Sequence, residues 1–154
     1  DQMNTSLLIA RRHRTRLALL FLDLDRFKEI NDTLGHAAGD QLLIAAAARM
    51  RPALRASDLL ARQGGDEFMI LLHDIHSMEE ALGVAEKIRL ATNQPFVLDG
   101  TERLVSVSIG IALYPEHGED IETLTRNADA AMYRTKTTGR NGASAAPDTA
   151  SPLD

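Results

Sequence analysis

Apolar and polar positions divide the first third of the chain into three predicted elements. The run "LALLFLDLD" at 17–25 is almost continuously apolar, which predicts a buried strand that ends in acids. Residues 26–36 are typical of a short helix closing at Gly35. The alanine-rich segment that follows predicts a longer helix ended near Pro52.

The remaining pattern indicates a hairpin, a further strand and two helices. Apolar runs on both sides of 62–67 predict two buried strands joined by a turn. Residues 77–93 follow a helical period after a serine cap, 101–115 alternate as a strand does, and a last helix is broken at Gly139. Hairpin-linked strands with helices returning to one side predict an α+β fold, with a mainly antiparallel central sheet of about five strands flanked by helices.

The length of 154 residues suits one domain with a single core. We place this domain at 1–141 and expect 142–154, which is rich in small residues and proline, to be a linker-like, disordered tail. The chain opens on Asp1 and not on methionine, so we expect it to be a piece of a longer protein.

Composition narrows the class of protein. Hydrophobic residues make up 44% and charged residues 25%, as in an ordinary soluble domain, and the net charge of −5 argues against a nucleic-acid binder. The absence of cysteine suits a cytoplasmic location. No apolar run approaches the ~20 residues of a membrane span, so we expect no membrane contact by this domain, although the parent protein could be membrane-attached. Four arginines within 10–16 are expected at a solvated helix end.

The hairpin tip carries the first candidate chemistry. A turn needs only residues that tolerate positive φ, yet here Gly64 and Gly65 are followed by Asp66 and Glu67. Adjacent carboxylates repel one another unless a cation lies nearby, and a divalent metal carrying phosphates would resolve this repulsion. A solvated turn without chemistry is the alternative on this segment alone.

A second acidic position lies at the end of the first strand. If that strand neighbours the hairpin, Asp23 meets Asp66 at one edge of the sheet, as in phosphoryl-transfer sites that hold Mg²⁺. Lys28, Lys136 and Arg140 could then neutralise a triphosphate. The neighbouring acids Asp25, Glu29 and Asp32 are expected to be surface charges at a helix start.

Four segments in order resemble the GGDEF domain, the diguanylate cyclase family, from about Leu17 to Asn141. They are "FLDLDRFKEINDTLGHAAGD", "RASDLLARQGGDEF", "VSVSIGIA" and "ADAAMYRTKTTGRN". The resemblance implies a nucleotidyl cyclase or polymerase-palm, ferredoxin-like architecture. Relatives usually carry a D-x-L-T-G-L-x-N-R segment before the first strand, and because this chain starts too late to include it, the domain is expected to be N-terminally trimmed.

The resemblance also implies roles for single residues. Mg²⁺, or Mn²⁺ in its place, would be bound by Asp23, Asp66 and the Leu24 carbonyl, and Glu67 would contact metal or help deprotonate the ribose 3′-hydroxyl. The remaining substrate positions are Asn31 and Asp40 for guanine, Gly64 and Gly65 at the turn, and Lys28, Lys136 and Arg140 for phosphates. Two alternatives stay open: Asp40 could cap the long helix, and Lys28 could be a solvated lysine paired with Asp32.

The R-x-x-D pattern at Arg55 and Asp58 resembles the family's inhibitory site for the product, cyclic di-GMP. Lys87 stands where relatives use arginine to complete that site. An ordinary exposed ion pair between Arg55 and Asp58 is the alternative. His73 and His76 have metal-like spacing but no third ligand nearby, so we expect both at the surface.

The activity implied is the condensation of two GTP into cyclic di-GMP and two pyrophosphates at a site shared by a homodimer. Partners implied by the resemblance are neighbouring sensory or phosphodiesterase domains. A catalytically silent module that binds GTP or cyclic di-GMP is the first alternative, and a bare dimerisation domain is the second.

Overall fold

A computed structural model describes residues 1–147; the last seven residues, 148–154, lie outside the description. The helices are α1 Gln2–His13, α2 Phe27–Leu34, α3 His36–Met50, α4 Met78–Thr92 and α5 Ile121–Thr137, with a 3₁₀ turn at Arg51–Ala53. The strands are β1 Leu17–Leu24, β2 Leu59–Gly64, β3 Glu67–Leu72, β4 Phe96–Leu98, β5 Thr101–Arg103, β6 Val107–Tyr114 and β7 Gly142–Ala145.

The central sheet has five strands in the order β2-β3-β1-β6-β7, and β4 pairs with β5 separately. All neighbours in the central sheet are antiparallel except β6 and β7, which are parallel. The predicted α+β fold, with a mainly antiparallel sheet of about five strands, is therefore confirmed.

The fifth strand corrects the predicted domain boundary. Residues 142–145 pair with 108–111 of β6, and the Ala146 N–H donates to the Ile111 carbonyl at 2.7 Å. The linker-like tail therefore cannot begin at 142. The segment "GASA" has no alternation of apolar and polar residues, so its sequence does not predict a strand. Its strand conformation depends on backbone pairing with β6, a distant segment.

The predicted strand at 101–115 is two elements. Its first residues form β5, which returns from β4 through a turn at Asp99 and Gly100, both with left-handed φ of 51° and 77°. Asp-Gly is a preferred sequence for such two-residue hairpins. The long strand β6 begins only at Val107.

The core has two parts, one on each face of the sheet, so the prediction of helices on one side is wrong. Alternate residues of β1 point to opposite faces. Leu20 and Leu22 pack in a cluster that includes residues of α3 and α4, whereas Leu19 and Phe21 pack in a cluster that includes residues of α1 and α5. Because β1 is buried along its whole length, its pattern is a continuous apolar run.

The predicted cap of α4 is confirmed, because the Ser77 hydroxyl accepts the Glu80 N–H at 3.1 Å. The Glu80 carboxylate accepts the N–H of His76 at 2.8 Å. At the end of α1, Arg11, Arg12 and Arg14 are exposed, as expected for a solvated helix end. The fourth arginine of this segment, Arg16, differs from the prediction because it is partly buried and forms an ion pair with Glu116. Among residues 1–147, no helix combines the length and apolar character needed to cross a lipid bilayer.

Candidate active site

The hairpin tip is a two-residue turn formed by Gly65 and Asp66, with Gly64 and Glu67 paired across it. Gly65 has a left-handed φ of 42°, and the strand register shifts between Arg62 and Gly64. A Cβ atom added at Gly64 or Gly65 would find no heavy atom within 4 Å. The two glycines therefore leave the backbone at the tip uncovered, which allows a ligand to approach it closely.

The register between β1 and β3 brings the two predicted metal-binding acids together. Asp23 lies opposite Glu67, and the Leu24 N–H donates to the Asp66 carbonyl at 3.3 Å. Asp23 is only 6% exposed. The structure thus places Asp23, Asp66 and Glu67 at one end of neighbouring strands.

The electrostatics of Asp23 are unusual for a carboxyl group. Burial, reinforced by the neighbouring Asp66 carboxyl, raises the pKa of Asp23 to about 7, while the Lys136 ammonium opposes this rise. Lys136 forms an ion pair with one oxygen, Oδ2. The other oxygen, Oδ1, is buried and has no hydrogen-bond partner within residues 1–147. The Asp23 carboxyl is therefore held in a costly environment that a second cation would relieve.

Glu67 shares this environment. Burial, with the charges of Asp129 and Asp66, raises the pKa of Glu67, and Lys136 lowers it. Asp129, which our sequence reasoning missed, lies on α5 two turns before Lys136. Asp129 and Lys136 are seven residues apart, which puts both on one face of the helix. This spacing could have indicated from the sequence that Asp129 lies near the site.

These residues fit a divalent cation. An orphaned carboxylate oxygen beside a second carboxyl supplies the hard oxygen ligands that Mg²⁺ prefers. In the described part of the chain, no group of three or more histidine, aspartate or glutamate side chains could hold a metal. A metal at Asp23 and Asp66 would thus take its remaining ligands from backbone, water or phosphate oxygens.

The predicted guanine-binding residues lie on two helices that pack together. A Cβ atom at Gly39 on α3 would fall 1.9 Å from Asn31 Oδ1 on α2, so the two helices meet at this glycine. Asp40 follows Gly39 and is exposed. The alternative that Asp40 caps α3 is wrong, because the helix begins at His36 with Gly35 as its N-cap.

The three predicted phosphate-binding residues differ in their surroundings. Lys136 is engaged by Asp23, whereas Lys28 and Arg140 are exposed. Neither Lys28 nor Arg140 makes an ion pair with another described residue, so the alternative in which Lys28 pairs with Asp32 is not formed. Arg140 lies in the turn after α5, where its φ is 61°.

Asp25 corrects a prediction. We expected an exposed charge at a helix start, but Asp25 is 4% exposed and accepts hydrogen bonds from Ser106 Oγ, Ser108 Oγ and the Asn141 N–H at 2.5, 2.6 and 3.1 Å. The donors lie more than 80 residues along the chain, which is why local pattern missed them. Glu29 and Asp32 are exposed as predicted.

The predicted inhibitory-site residues are brought together. Arg55, Asp58 and Lys87 line one surface cavity of about 320 Å³. The alternative of an ordinary exposed ion pair is wrong for Asp58, whose side chain is 2% exposed. Its carboxylate accepts the backbone N–H groups of Arg55 and His73 at 2.9 and 3.0 Å, while the Arg55 side chain remains half exposed.

The two histidines differ. His76 is exposed as predicted, but His73 is partly buried and its Nε2 lies 2.8 Å from Ser6 Oγ on α1. Its predicted surface position is therefore only partly right. The hydrogen bond joins the end of β3 to the N-terminal helix.

Comparison with known proteins identifies the family. The family model described as diguanylate cyclase, GGDEF domain, matches residues 1–142. The diguanylate cyclase TpbB of Pseudomonas aeruginosa is 49% identical over 140 residues, covering 90% of this chain and 32% of TpbB. MucR of the same species, a bifunctional diguanylate cyclase/cyclic di-GMP phosphodiesterase, is 46% identical over 142 residues, covering 92% of this chain and 21% of MucR.

The chain thus spans about a third or less of the length of these two relatives. The crystal structure of the TpbB GGDEF domain superposes with a TM-score of 0.91 at 48% sequence identity, covering 95% of this chain and 91% of that one. This likeness confirms the predicted palm-like cyclase architecture. Sequence and structure agree over nearly the whole described chain: it belongs to the GGDEF-domain family of diguanylate cyclases.

Proposed function

We propose that this domain is an active diguanylate cyclase that condenses two GTP into cyclic di-GMP and two pyrophosphates. The observation that carries the proposal is the pair of carboxyl groups, Asp23 and Asp66, beside Lys136 at an uncovered hairpin tip. A buried acid with an orphaned oxygen is costly to the fold, even though Lys136 pairs with its other oxygen. It is therefore best explained by a cationic ligand.

Asp23, Asp66 and the Leu24 carbonyl would hold the divalent metal, which we propose to be Mg²⁺ or Mn²⁺. When bound, the metal would neutralise the charge that develops on the phosphates and leaving pyrophosphate. Lys136 would then turn from Asp23 to a phosphate oxygen, because the metal takes over the charge of the Asp23 carboxylate.

Phosphate binding would involve the two exposed basic residues. Lys28 lies in the first turn of α2, and none of the described side chains caps this helix N-terminus. Backbone N–H groups there and the helix dipole favour an anion. Arg140 would add a bidentate contact from the turn after α5.

Guanine would be read between α2 and α3. The Asp40 carboxylate can accept from guanine N1–H and the 2-amino group together, whereas adenine lacks that donor pair. The orphaned Asn31 oxygen is a further acceptor on the same side. GTP should therefore be preferred over ATP.

Each domain offers only one such half-site, so two copies must face each other for each ribose 3′-hydroxyl to attack the α-phosphate of the other GTP. The raised pKa of Glu67 suits it to help take the hydroxyl proton. In-line positioning of the two substrates would supply much of the rate. The homodimer is thus part of the proposed catalytic site.

The test is an incubation with GTP and Mg²⁺ over a wide range of protein concentrations, following pyrophosphate and cyclic di-GMP together. We expect product to rise faster than linearly with protein, and Asp66→Asn to abolish it. If the specific activity stayed constant when the protein was diluted far below the Kd of any dimer, the shared site would be contradicted. Asp32→Asn, an equal charge change at an exposed position, is the matched control.

We further propose that cyclic di-GMP inhibits the enzyme from the cavity of Arg55, Asp58 and Lys87. Supporting this role, the Arg55 side chain is half exposed, and Lys87 on α4 lines the same cavity. If no product formed while Arg55→Ala abolished tight cyclic di-GMP binding, the domain would instead be a silent receptor. A phosphodiesterase domain is proposed for the longer protein because MucR is a bifunctional diguanylate cyclase/cyclic di-GMP phosphodiesterase. Sensory domains and a cytoplasmic setting are proposed for it from the sequence resemblance and composition alone.

A further inference from the structure

Among the described residues, Asp25 is the buried acid whose carboxylate accepts the most hydrogen bonds. The mechanism proposed above does not use it. Both carboxylate oxygens accept hydrogen bonds from hydroxyls: one from Ser106, the residue before β6, and one from Ser108 within β6. The Asp25 N–H also donates to the Ser106 carbonyl at 2.9 Å. The end of β1 is therefore fastened to the start of β6 through both main chain and side chain.

The third hydrogen bond of this carboxylate reaches a different part of the chain. Oδ2 accepts the backbone N–H of Asn141, immediately after Arg140. Both Arg140 and Asn141 have left-handed backbone conformations, with φ of 61° and 49°. Consecutive non-glycine residues in this region persist only where surrounding contacts fix them.

The other contacts of this turn show how it is held. The Arg140 N–H donates to the Thr135 carbonyl at 2.9 Å, and the Asn141 side-chain oxygen accepts from Arg89 at 3.2 Å. Asp25 supplies the contact to the sheet end that carries Asp23 and Leu24. A charged acceptor makes a stronger hydrogen bond to a backbone N–H than a neutral one does.

We propose that Asp25 is a positioning residue that sets Arg140 relative to the metal-binding end of β1. The inference rests on the proposed function, because it requires Arg140 to contact the phosphates of GTP. In this proposal Asp25 does not contact the substrate, because its two oxygens already accept from three donors of the protein. Its effect reaches the substrate only through the backbone of the turn at 140–141.

The test is a double-mutant cycle between Asp25→Asn and Arg140→Ala, read out as the affinity for a non-hydrolysable GTP analogue with Mg²⁺. We expect Asp25→Asn to weaken binding by about tenfold, as expected when a charge-assisted hydrogen bond is lost. In the Arg140→Ala background the same change should have little further effect, because both act on one contact. Guanosine, which lacks phosphates, should bind all variants alike.

Three controls keep the outcomes distinct. Asp32→Asn makes the same charge change at an exposed position of α2 and should leave binding unchanged. If Asp25→Asn does not fold, Ser106→Ala removes one donor of the same carboxylate and replaces it in the cycle. Additive losses, or equal losses of guanosine and GTP-analogue affinity, would overturn the positioning role. Failure of the wild type to bind the GTP analogue would overturn the proposed function and this inference with it.

Discussion

Gly110 on β6 lies directly against the backbone of Ala128 on α5. A Cβ atom at Gly110 would come within 2.0 Å of the Ala128 carbonyl oxygen and 2.2 Å of the Met132 nitrogen. Backbone atoms of a helix cannot rotate away from such a contact. The absence of a side chain at this position therefore sets how closely α5, which carries Lys136, approaches the sheet.

We expect Gly110→Ala to lower the free energy of unfolding by about 3 kcal/mol or more, because α5 must lift from the sheet to admit the methyl group. Gly83→Ala is the matched control: Gly83 is exposed within α4, and its Cβ would meet no atom within 4 Å. Helix propensity predicts that this control gains about 0.5–1 kcal/mol. Urea denaturation measures both changes, and wild-type stability of Gly110→Ala would contradict the close approach.

Asp23 should make the stability of the metal-free protein fall as pH rises. Its pKa is about 7 in the folded protein against an ordinary value of 3.8, so between these values the folded state binds a proton that the unfolded state has released. Its contribution is fully present below the unfolded pKa and is lost as pH rises through the folded pKa. The Asp23→Asn variant lacks this titration and should gain stability over the wild type from about pH 4 to about pH 8.

Denaturation of both proteins in the presence of a chelator, at several pH values, measures this difference. Asp32→Asn, the same change at an exposed position, is the control. A stability difference between Asp23→Asn and the wild type that is the same at every pH would mean that burial does not penalise the Asp23 charge. Saturating Mg²⁺ should reverse the ranking at neutral pH, since it can bind only the wild-type carboxylate pair.

Gly39→Ala should weaken GTP binding more than it weakens the fold. The new methyl group would displace the Asn31 side chain, whose Oδ1 lies 1.9 Å from the ideal Cβ position. Because the obstacle is a side chain and not backbone, α3 can keep its place. We expect about tenfold weaker affinity for GTP, the loss typical of one hydrogen bond to the base.

Calorimetric titration with GTP and a thermal melt of the same sample separate the two effects of Gly39→Ala. Asn31→Ala provides the reference, and the two changes together should cost no more affinity than Asn31→Ala alone. Unchanged GTP affinity in Gly39→Ala would remove Asn31 from the guanine site.

Arg55 and Asp58 should respond differently to substitution. Arg55→Ala removes a half-exposed side chain and should cost at most about 1 kcal/mol of stability. Asp58→Ala leaves the N–H groups of Arg55 and His73 without their acceptor and should cost about 1–3 kcal/mol. Thermal melts with and without cyclic di-GMP check this: only Arg55→Ala should lose the ligand-induced shift while melting near the wild-type temperature. Equal destabilisation by Arg55→Ala and Asp58→Ala would contradict a ligand-binding role for Arg55 and a structural role for Asp58.

Sequence reasoning located the elements whose pattern is local. The buried run of β1, the hairpin turn at Gly65 and Asp66, and the serine cap of α4 are each specified within a few residues. The juxtaposition of Asp23 with Asp66 followed from one assumption about strand pairing, which the register of β1 with β3 satisfies.

What it missed depends on distant partners. Strand β7 consists of small residues and exists through its pairing with β6, and the burial of Asp25 depends on donors at Ser106, Ser108 and Asn141. The alternative of a surface ion pair at Asp58 fails because its carboxylate also accepts the N–H of His73, just after β3. In each case the deciding hydrogen bond joins segments that no local window contains.

The shift in register between Arg62 and Gly64 also makes β2 a poor edge for pairing with a strand of another chain. Strand β2 is an edge of the sheet, and an unpaired edge can add a strand from another chain. A bulge with an exposed arginine beside it twists the edge and places a charge where an incoming strand would pair. Growth of the sheet from copy to copy is thereby disfavoured at β2, even though the hairpin tip at the end of that strand is exposed to other molecules.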